Sequence, residues 1–371
     1  MNVAFYAPLK PLDHPEPSGD RTIGRELAAA LTAEGLTLTV ASRFRSRWFS
    51  ASPGLWLQAP GARRAALEEA GRAKARLWLT YHAYYKSPDV IGPYVARELD
   101  IPYVVFQGIY STKTRRSLKT WLGYELNRRS LLAARLVVSN RRLDMENLRR
   151  LLPRERLAYL RPGIDPTPFV FDGPTRRELR QAWGASDVPV VVTAAMFRDG
   201  VKTRSLTYLI LRLGELARMG KAFFLVVAGD GEKRDELLAL AARELPGRHH
   251  FTGCLEREEL GAVFGAGDLF AFPGIRESLG MVYLEAQAAG LPVAAFADGG
   301  VPEVVDAGRT GILTPPGDDG AYRKALAGLI DDRDRRRAMG EAAEAYVREH
   351  HDRTRNYGAL AGVLRRMAGE A

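Results

Sequence analysis

Cysteine is almost missing from this chain. Cys254 is the only one in 371 residues, which excludes a disulfide framework and any cysteine-rich metal site. Histidine is scarce too. None of the six forms an H-x-x-x-H pair on a helical pattern, and the adjacent His249–His250 and His350–His351 read as surface residues rather than ligands. No apolar run is long enough to span a bilayer, and the opening Val3-Ala4-Phe5-Tyr6-Ala7-Pro8 reads as a buried first strand rather than a signal peptide. The cytoplasm is therefore the expected compartment. No G-x-G-x-x-G occurs between Tyr6 and Ile23, which argues against a dinucleotide oxidoreductase. No D-x-D cluster follows a strand to hold magnesium or manganese, so no metal is expected. There is no zinc-finger spacing or RNA-recognition signature, and nucleic acid is not expected as a partner.

Positive charge is what the chain has in excess. Lys and Arg number 54 against 44 Asp and Glu, a net charge of +10 and a pI near 9.7. That balance fits an acidic partner, and a phosphorylated small molecule or an anionic membrane surface would serve. Apolar residues make up 46% and charged residues 26%, as in globular proteins, and the length fits two domains.

Short apolar runs alternate with longer helical patterns from end to end. Strands are expected at Val3–Tyr6, Leu36–Ala41, Leu77–Thr80, Tyr103–Phe106, Leu136–Val138, Val188–Ala194, Phe223–Ala228, Leu269–Phe272 and Val293–Phe296. Between them lie stretches such as Thr22–Glu34, with Ile23, Leu27, Ala30 and Leu31 on one face. The alternation implies parallel sheets with helices on both faces, an α/β architecture. A boundary is expected just after Arg161-Pro162-Gly163-Ile164-Asp165-Pro166, with a fresh helix near Pro174. Residues 1–167, rejoined by a last helix over 353–371 carrying Leu360, Val363, Leu364 and Met367, then make one domain, and residues 168–352 the other. Doubly wound sheets place ligands at the carboxyl ends of their strands.

The most informative segment runs from Phe272 to Ala286. A strand passes through Pro273-Gly274-Ile275-Arg276-Glu277 into a helix expected to begin around Ser278 to Gly280. Ser278 is suited to the N-cap, and Leu279 and Gly280 would expose N–H groups at a positive helix end. Such an end suits a diphosphate, and Gly280 permits close approach. Glu277 beside it is placed to accept hydrogen bonds from sugar hydroxyls, and Glu285, about two turns on, to hold a ribose.

This segment closely resembles the E-x7-E signature of the retaining family 4 glycosyltransferases of GT-B fold. Further stretches match in order: Val227-Ala228-Gly229-Asp230-Gly231, Phe251-Thr252-Gly253, Gly299-Gly300-Val301-Pro302-Glu303-Val304-Val305, Thr310-Gly311-Ile312-Leu313 and, near the boundary, Pro162-Gly163-Ile164-Asp165. The resemblance implies two Rossmann-like domains facing across a cleft, the first on the acceptor side and the second binding the donor. It implies transfer of a sugar, with retained configuration and no cofactor, from a nucleoside-diphosphate sugar to an acceptor hydroxyl. The acceptor would be a sugar or a lipid-linked molecule in polysaccharide, glycolipid or other glycoconjugate synthesis. It assigns Gly229, Gly253, Ser278, Leu279, Gly280 and Glu285 to the donor, and matches the family's diphosphate-neutralising pair with Arg198 and Lys202. The spacing of that pair is one residue short, and the glycine usual before the arginine is absent.

The first half matches more thinly. Pro17-Ser18-Gly19-Asp20-Arg21 is similar to the family's phosphate-meeting glycine loop, and only Gly19 carries over. Where the family often has a histidine directed at the donor sugar, this chain has Gln107, which can hydrogen-bond but cannot change charge and is an acceptor candidate. His82 ends another expected strand. There it would act near the sugar or orient the acceptor, although a strand-end histidine is more often structural. Tyr84, Tyr85 and Lys86 would shape an acceptor pocket or only cap the domain.

Residues 113–129 admit two readings. Leu118, Trp121, Leu122 and Leu126 share a helical face, surrounded by Arg115, Arg116, Lys119, Arg128 and Arg129. The face packs on its own sheet, the preferred reading, or rests on the anionic inner face of a membrane as a peripheral contact. The rival functions are a nucleotide-sugar epimerase, a phosphorylase (lacking a pyridoxal-lysine signature) and a non-catalytic nucleotide-sugar-binding protein.

Overall fold

The computed structural model describes residues 1–15, 19–170 and 173–369. Pro17 and Ser18 of the expected glycine loop, and the last two residues of the expected terminal helix, lie outside them. The chain forms two compact units, Met1–Gly163 with Arg353–Ala371 and Ile164–Asp352.

The first unit is built on a parallel six-stranded sheet in the order β2-β1-β3-β4-β5-β6, with β1 Asn2–Tyr6, β2 Thr37–Ser42, β3 Leu77–Ala83, β4 Tyr103–Gly108, β5 Leu136–Ser139 and β6 Leu157–Tyr159. Central strands β3 and β4 are buried along nearly their whole length, as parallel strands covered on both faces must be. The last helix, Arg353–Met367, buries Tyr357, Leu360, Ala361 and Leu364. Tyr357 sets its ring edge-on to Phe106 at 5.9 Å, and its hydroxyl accepts the Gly163 N–H at 3.3 Å. Arg353 pairs with the buried Glu26 of helix Gly19–Ala33.

The second unit repeats the plan in the order β12-β11-β10-β7-β8-β9, with β7 Val190–Ala194, β8 Phe224–Ala228, β9 His249–Gly253, β10 Leu269–Ala271, β11 Val293–Phe296 and β12 Gly311–Thr314. β9 and β12 were not among the expected strands. They are edge strands, less buried than the centre, so they lack the continuous apolar run that marks the others. His351, expected at the surface, is fully buried, and its carbonyl accepts the Ile164 N–H at 2.8 Å.

In each unit the chain begins in the sheet's interior and winds outward both ways. The strand order reverses between β1 and β3 in the first sheet and between β7 and β10 in the second. At such a switch point the loops leaving two neighbouring strands diverge and open a crevice at their carboxyl ends.

The helix expected over Lys113–Arg129 is two pieces, a 3-10 turn Thr112–Arg116 and an α-helix Leu118–Ala133. The expected packing of its apolar stripe holds only in part: Leu126 lies against the core and Leu122 is half-buried, but the other two residues point outward. The helix buries Gly123, Tyr124, Asn127, Ser130 and Leu131, whereas Leu118 is 96% and Trp121 51% exposed. The buried face is fixed by hydrogen bonds: Tyr124 to the Tyr110 hydroxyl at 2.8 Å, Asn127 to the Ile109 carbonyl at 2.9 Å, and Ser130 with the Tyr103 hydroxyl at 2.9 Å. A pattern of hydrophobicity cannot register such a face.

Candidate functional site

In the second unit, Lys202 and Glu277 meet at the switch point. Lys202 lies in the first turn of helix Val201–Arg218, which follows β7, and Glu277 lies in the loop that leaves β10. They form an ion pair in which Glu277 is 11% and Lys202 31% exposed. Lys202 also sits over the Phe272 ring, 5.2 Å from its centroid. The Ile275 N–H donates to Ser205 Oγ at 3.1 Å, tying the Glu277 loop to the lysine's own helix.

Glu277 is held by the backbone. Its N–H donates to the Gly274 carbonyl at 3.0 Å, its carbonyl accepts the Gly300 N–H at 2.9 Å, and its Oε1 accepts the Ser278 N–H at 3.1 Å. Gly299, at φ 59°, packs so closely that a Cβ there would overlap the Glu277 carbonyl oxygen. Glycine is required on both grounds.

The N-cap assignment needs correction. The helix after Glu277 is Met281–Ala288, and its N-cap is Gly280, left-handed at φ 79°; Ser278 is exposed and two residues short of it. A glycine serves because the chain must turn through positive φ beneath the Tyr283 ring, where a Cβ would collide. Tyr283 is fully buried, and its hydroxyl donates to the Phe272 carbonyl at 3.0 Å. Burial pushes that phenol far above its ordinary range, with Glu277 adding to the effect, so it remains a neutral donor. Leu279 is buried, and Glu285 is half-buried on the helix one turn past the cap.

Gly229 follows β8 and donates its N–H to the Gly253 carbonyl of β9 at 2.9 Å, so these two glycines form one backbone ledge. Arg198 is exposed in the loop after β7, and its carbonyl accepts the Thr203 hydroxyl at 2.6 Å. A cavity of about 700 Å³ opens at the opposite, amino ends of β7 and β10, lined by Arg176, Arg180, Asp268 and Arg336 among others. These four charges are already engaged. Asp268 takes Arg176 and Arg180 at 2.7 Å each, and Arg336 donates to the Leu329 and Ile330 carbonyls. It is a structural base at the wrong end of the sheet for a switch-point ligand.

In the first unit, His82 and Gln107 end β3 and β4, and Gly19 begins helix Gly19–Ala33 with open space around it. His82 pairs with Asp20, a residue to which the sequence alone gave no role. Tyr84 stacks on His82 with centroids 5.2 Å apart, Tyr85 stands edge-on to Tyr84, and Lys86 lies over the Trp48 and Tyr85 rings. No sequence signal marks Asp20, because its approach to His82 comes from the fold.

Residues 176–346 match the model of glycosyl transferases group 1. The second unit belongs to that family. The first unit lies outside the match. Among curated relatives, the GDP-mannose-dependent alpha-(1-6)-phosphatidylinositol monomannoside mannosyltransferase of Mycolicibacterium smegmatis is 34% identical over 230 residues, covering 59% of this chain and 59% of that protein. The alpha-D-kanosaminyltransferase of Streptomyces kanamyceticus is 31% identical over 239 residues, covering 63% of this chain and 61% of that protein. The chain thus spans about three fifths of the length of these relatives. Sucrose-phosphate synthase from Thermosynechococcus elongatus matches the whole of both chains with a TM-score of 0.78 at 18% identity. The two-sheet architecture is the GT-B fold, and the group 1 unit is its second half.

Proposed function

We propose that the chain is a retaining glycosyltransferase of family 4 type. It would move a sugar from a nucleoside-diphosphate sugar to an acceptor hydroxyl, without metal or other cofactor. The observation that carries the reading is the Lys202–Glu277 pair at the switch point of a group 1 unit. When the sugar leaves, negative charge grows on the diphosphate, and a fixed cation with helix-start N–H groups stabilises it. Lys202 and Arg198 supply the cation, the backbone from Leu279 to Met281 the N–H groups, and Gly229 and Gly253 an open ledge for the base. Glu277 fixes the sugar hydroxyls and Glu285 the ribose. Rate enhancement then comes from positioning and electrostatics.

The first unit would hold the acceptor. Leu118 and Trp121 stand exposed among Lys113, Arg115, Arg116 and Lys119, a composition suited to an anionic bilayer surface and so to a lipid-linked acceptor. The phosphatidylinositol mannoside named for the mycobacterial relative is a molecule of that kind. No helix among the described residues is long and apolar enough to cross a membrane.

A thermal-shift panel of GDP- and UDP-sugars tests the donor half. A donor at a hundred times its Kd should stabilise the protein by about 2.7 kcal/mol. No shift with any nucleotide sugar would sink the proposal.

A further inference from the structure

The first unit carries a second switch-point cluster built like the first. β3 and β4 are parallel neighbours whose registers pair Tyr81 with Phe106 and Ala83 with Gly108, which leaves His82 beside Gln107 at the carboxyl ends. Both are non-glycine residues in the left-handed region, at φ 59° and 61°. That region is unfavourable for residues with a Cβ and persists where the surroundings enforce it, commonly at ligand sites.

Asp20 reaches this cluster from the first turn of helix Gly19–Ala33. Its Oδ1 contacts His82 Nδ1 and lies 3.3 Å from the Tyr81 hydroxyl, which also donates to its main-chain carbonyl at 2.9 Å. The pair bridges the β1 and β3 sides of the crevice, as Lys202 and Glu277 bridge β7 and β10. Two acceptors remain unused: Asp20 Oδ2 and Gln107 Oε1 are buried without a hydrogen-bond partner. Gln107 as a whole is only 7% exposed, whereas Asp20 and His82 keep 20% and 15% of their side chains open. Unsatisfied buried acceptors are destabilising and rare, so two at one strand-end crevice mark groups that await a partner.

We propose that Asp20, His82 and Gln107 form a hydroxyl-recognition subsite for the polyol portion of the acceptor, a reading that rests on the glycosyl-transfer assignment. Asp20 Oδ2 accepts one hydroxyl. Gln107 engages a second, and a hydroxyl suits its amide whichever way the amide is turned, since it donates and accepts. His82, clamped by Asp20 and backed by Tyr84, is the positioning residue between them. The Asp20 carboxylate disfavours a phosphate at this spot, so the neutral, hydroxyl-rich part of the acceptor binds here.

Saturation-transfer NMR on the full-length chain tests this. The probes are myo-inositol and methyl α-mannoside as neutral polyols, inositol phosphate as the anionic arm, and GDP and UDP as reporters of the second unit. The wild type should transfer saturation to the neutral polyols. Asp20→Asn and Gln107→Gly should each weaken that binding by about tenfold or more, the effect of losing one strong hydrogen bond, while the nucleotide signals persist. Gln107→Gly should also raise the Tm, because glycine relieves the left-handed backbone; a merely structural glutamine would lower it. Wild-type polyol binding in both variants, a lower Tm with binding intact, or saturation of inositol phosphate alone would each overturn the subsite, as would no polyol signal in the wild type. Loss of both nucleotide signals from the wild type would instead strike the glycosyl-transfer reading.

Discussion

Lys202 and Asp268 show how differently two charged groups of one unit act. In the proposed reaction Lys202 is the cation that meets the leaving group's charge. Lys202→Ala should cut turnover by about a hundredfold or more, the scale of one lost transition-state donor worth ~3 kcal/mol, with little change in Tm. Full activity in a folded variant would remove it from the mechanism. Asp268 serves the fold. Burial raises its pKa, but hydrogen bonds from Arg180 and the Val190 N–H and the nearby Arg176 outweigh that and hold it below the ordinary carboxylate range. A depressed folded pKa means stability that is fully present above the unfolded value of about 3.9 and lost as pH falls through the folded one. Asp268→Asn should therefore cost about 2–3 kcal/mol at neutral pH and flatten the acid limb of the Tm–pH profile. An unaltered acid limb would contradict this. Lys202 and Glu277 could be picked out of the sequence because they sit in recognisable loops after strands. Asp20 could not, since one acidic residue in a helix's first turn is ordinary, and only the fold brings it to His82.

At the scale of elements, the start of Met281–Ala288 was misjudged for a physical reason. Ser278 has the chemistry of an N-cap, but the left-handed turn at Gly280 fixes where the helix begins. Gly280→Ala should cost ~1–2 kcal/mol for the forced positive φ and weaken nucleotide binding. Wild-type affinity and Tm would show that the turn is not needed. Helix Leu118–Ala133 was misread in the opposite way, because its buried face is largely small and hydrogen-bonded while Leu118 and Trp121 stand outside. Leu118→Glu with Trp121→Glu should leave the Tm nearly unchanged and abolish salt-sensitive co-sedimentation with anionic liposomes. A large loss of stability, or undiminished liposome binding, would refute a membrane role for this face.

Across the whole molecule, the two halves were not equally legible. The second unit carries short motifs at several strand ends, and the family match spans this unit alone; the nucleoside diphosphate of the proposed reaction is the one ligand chemistry that would fix them together. In the first unit the central strands could be read from their apolar runs, and His82 and Gln107 as strand-end residues, but Asp20 only from the fold that brings it to His82. The proposed reaction is transfer of a sugar, with retention, from a nucleoside diphosphate. Time-resolved proton NMR of the anomeric signals, with a panel of GDP- and UDP-sugars and phosphatidylinositol vesicles, tests it most directly. The expected result is release of nucleoside diphosphate from one donor and a first-formed glycoside with the donor's own anomeric configuration, unaffected by a chelator. An inverted product, or no nucleotide release from any donor, would contradict it.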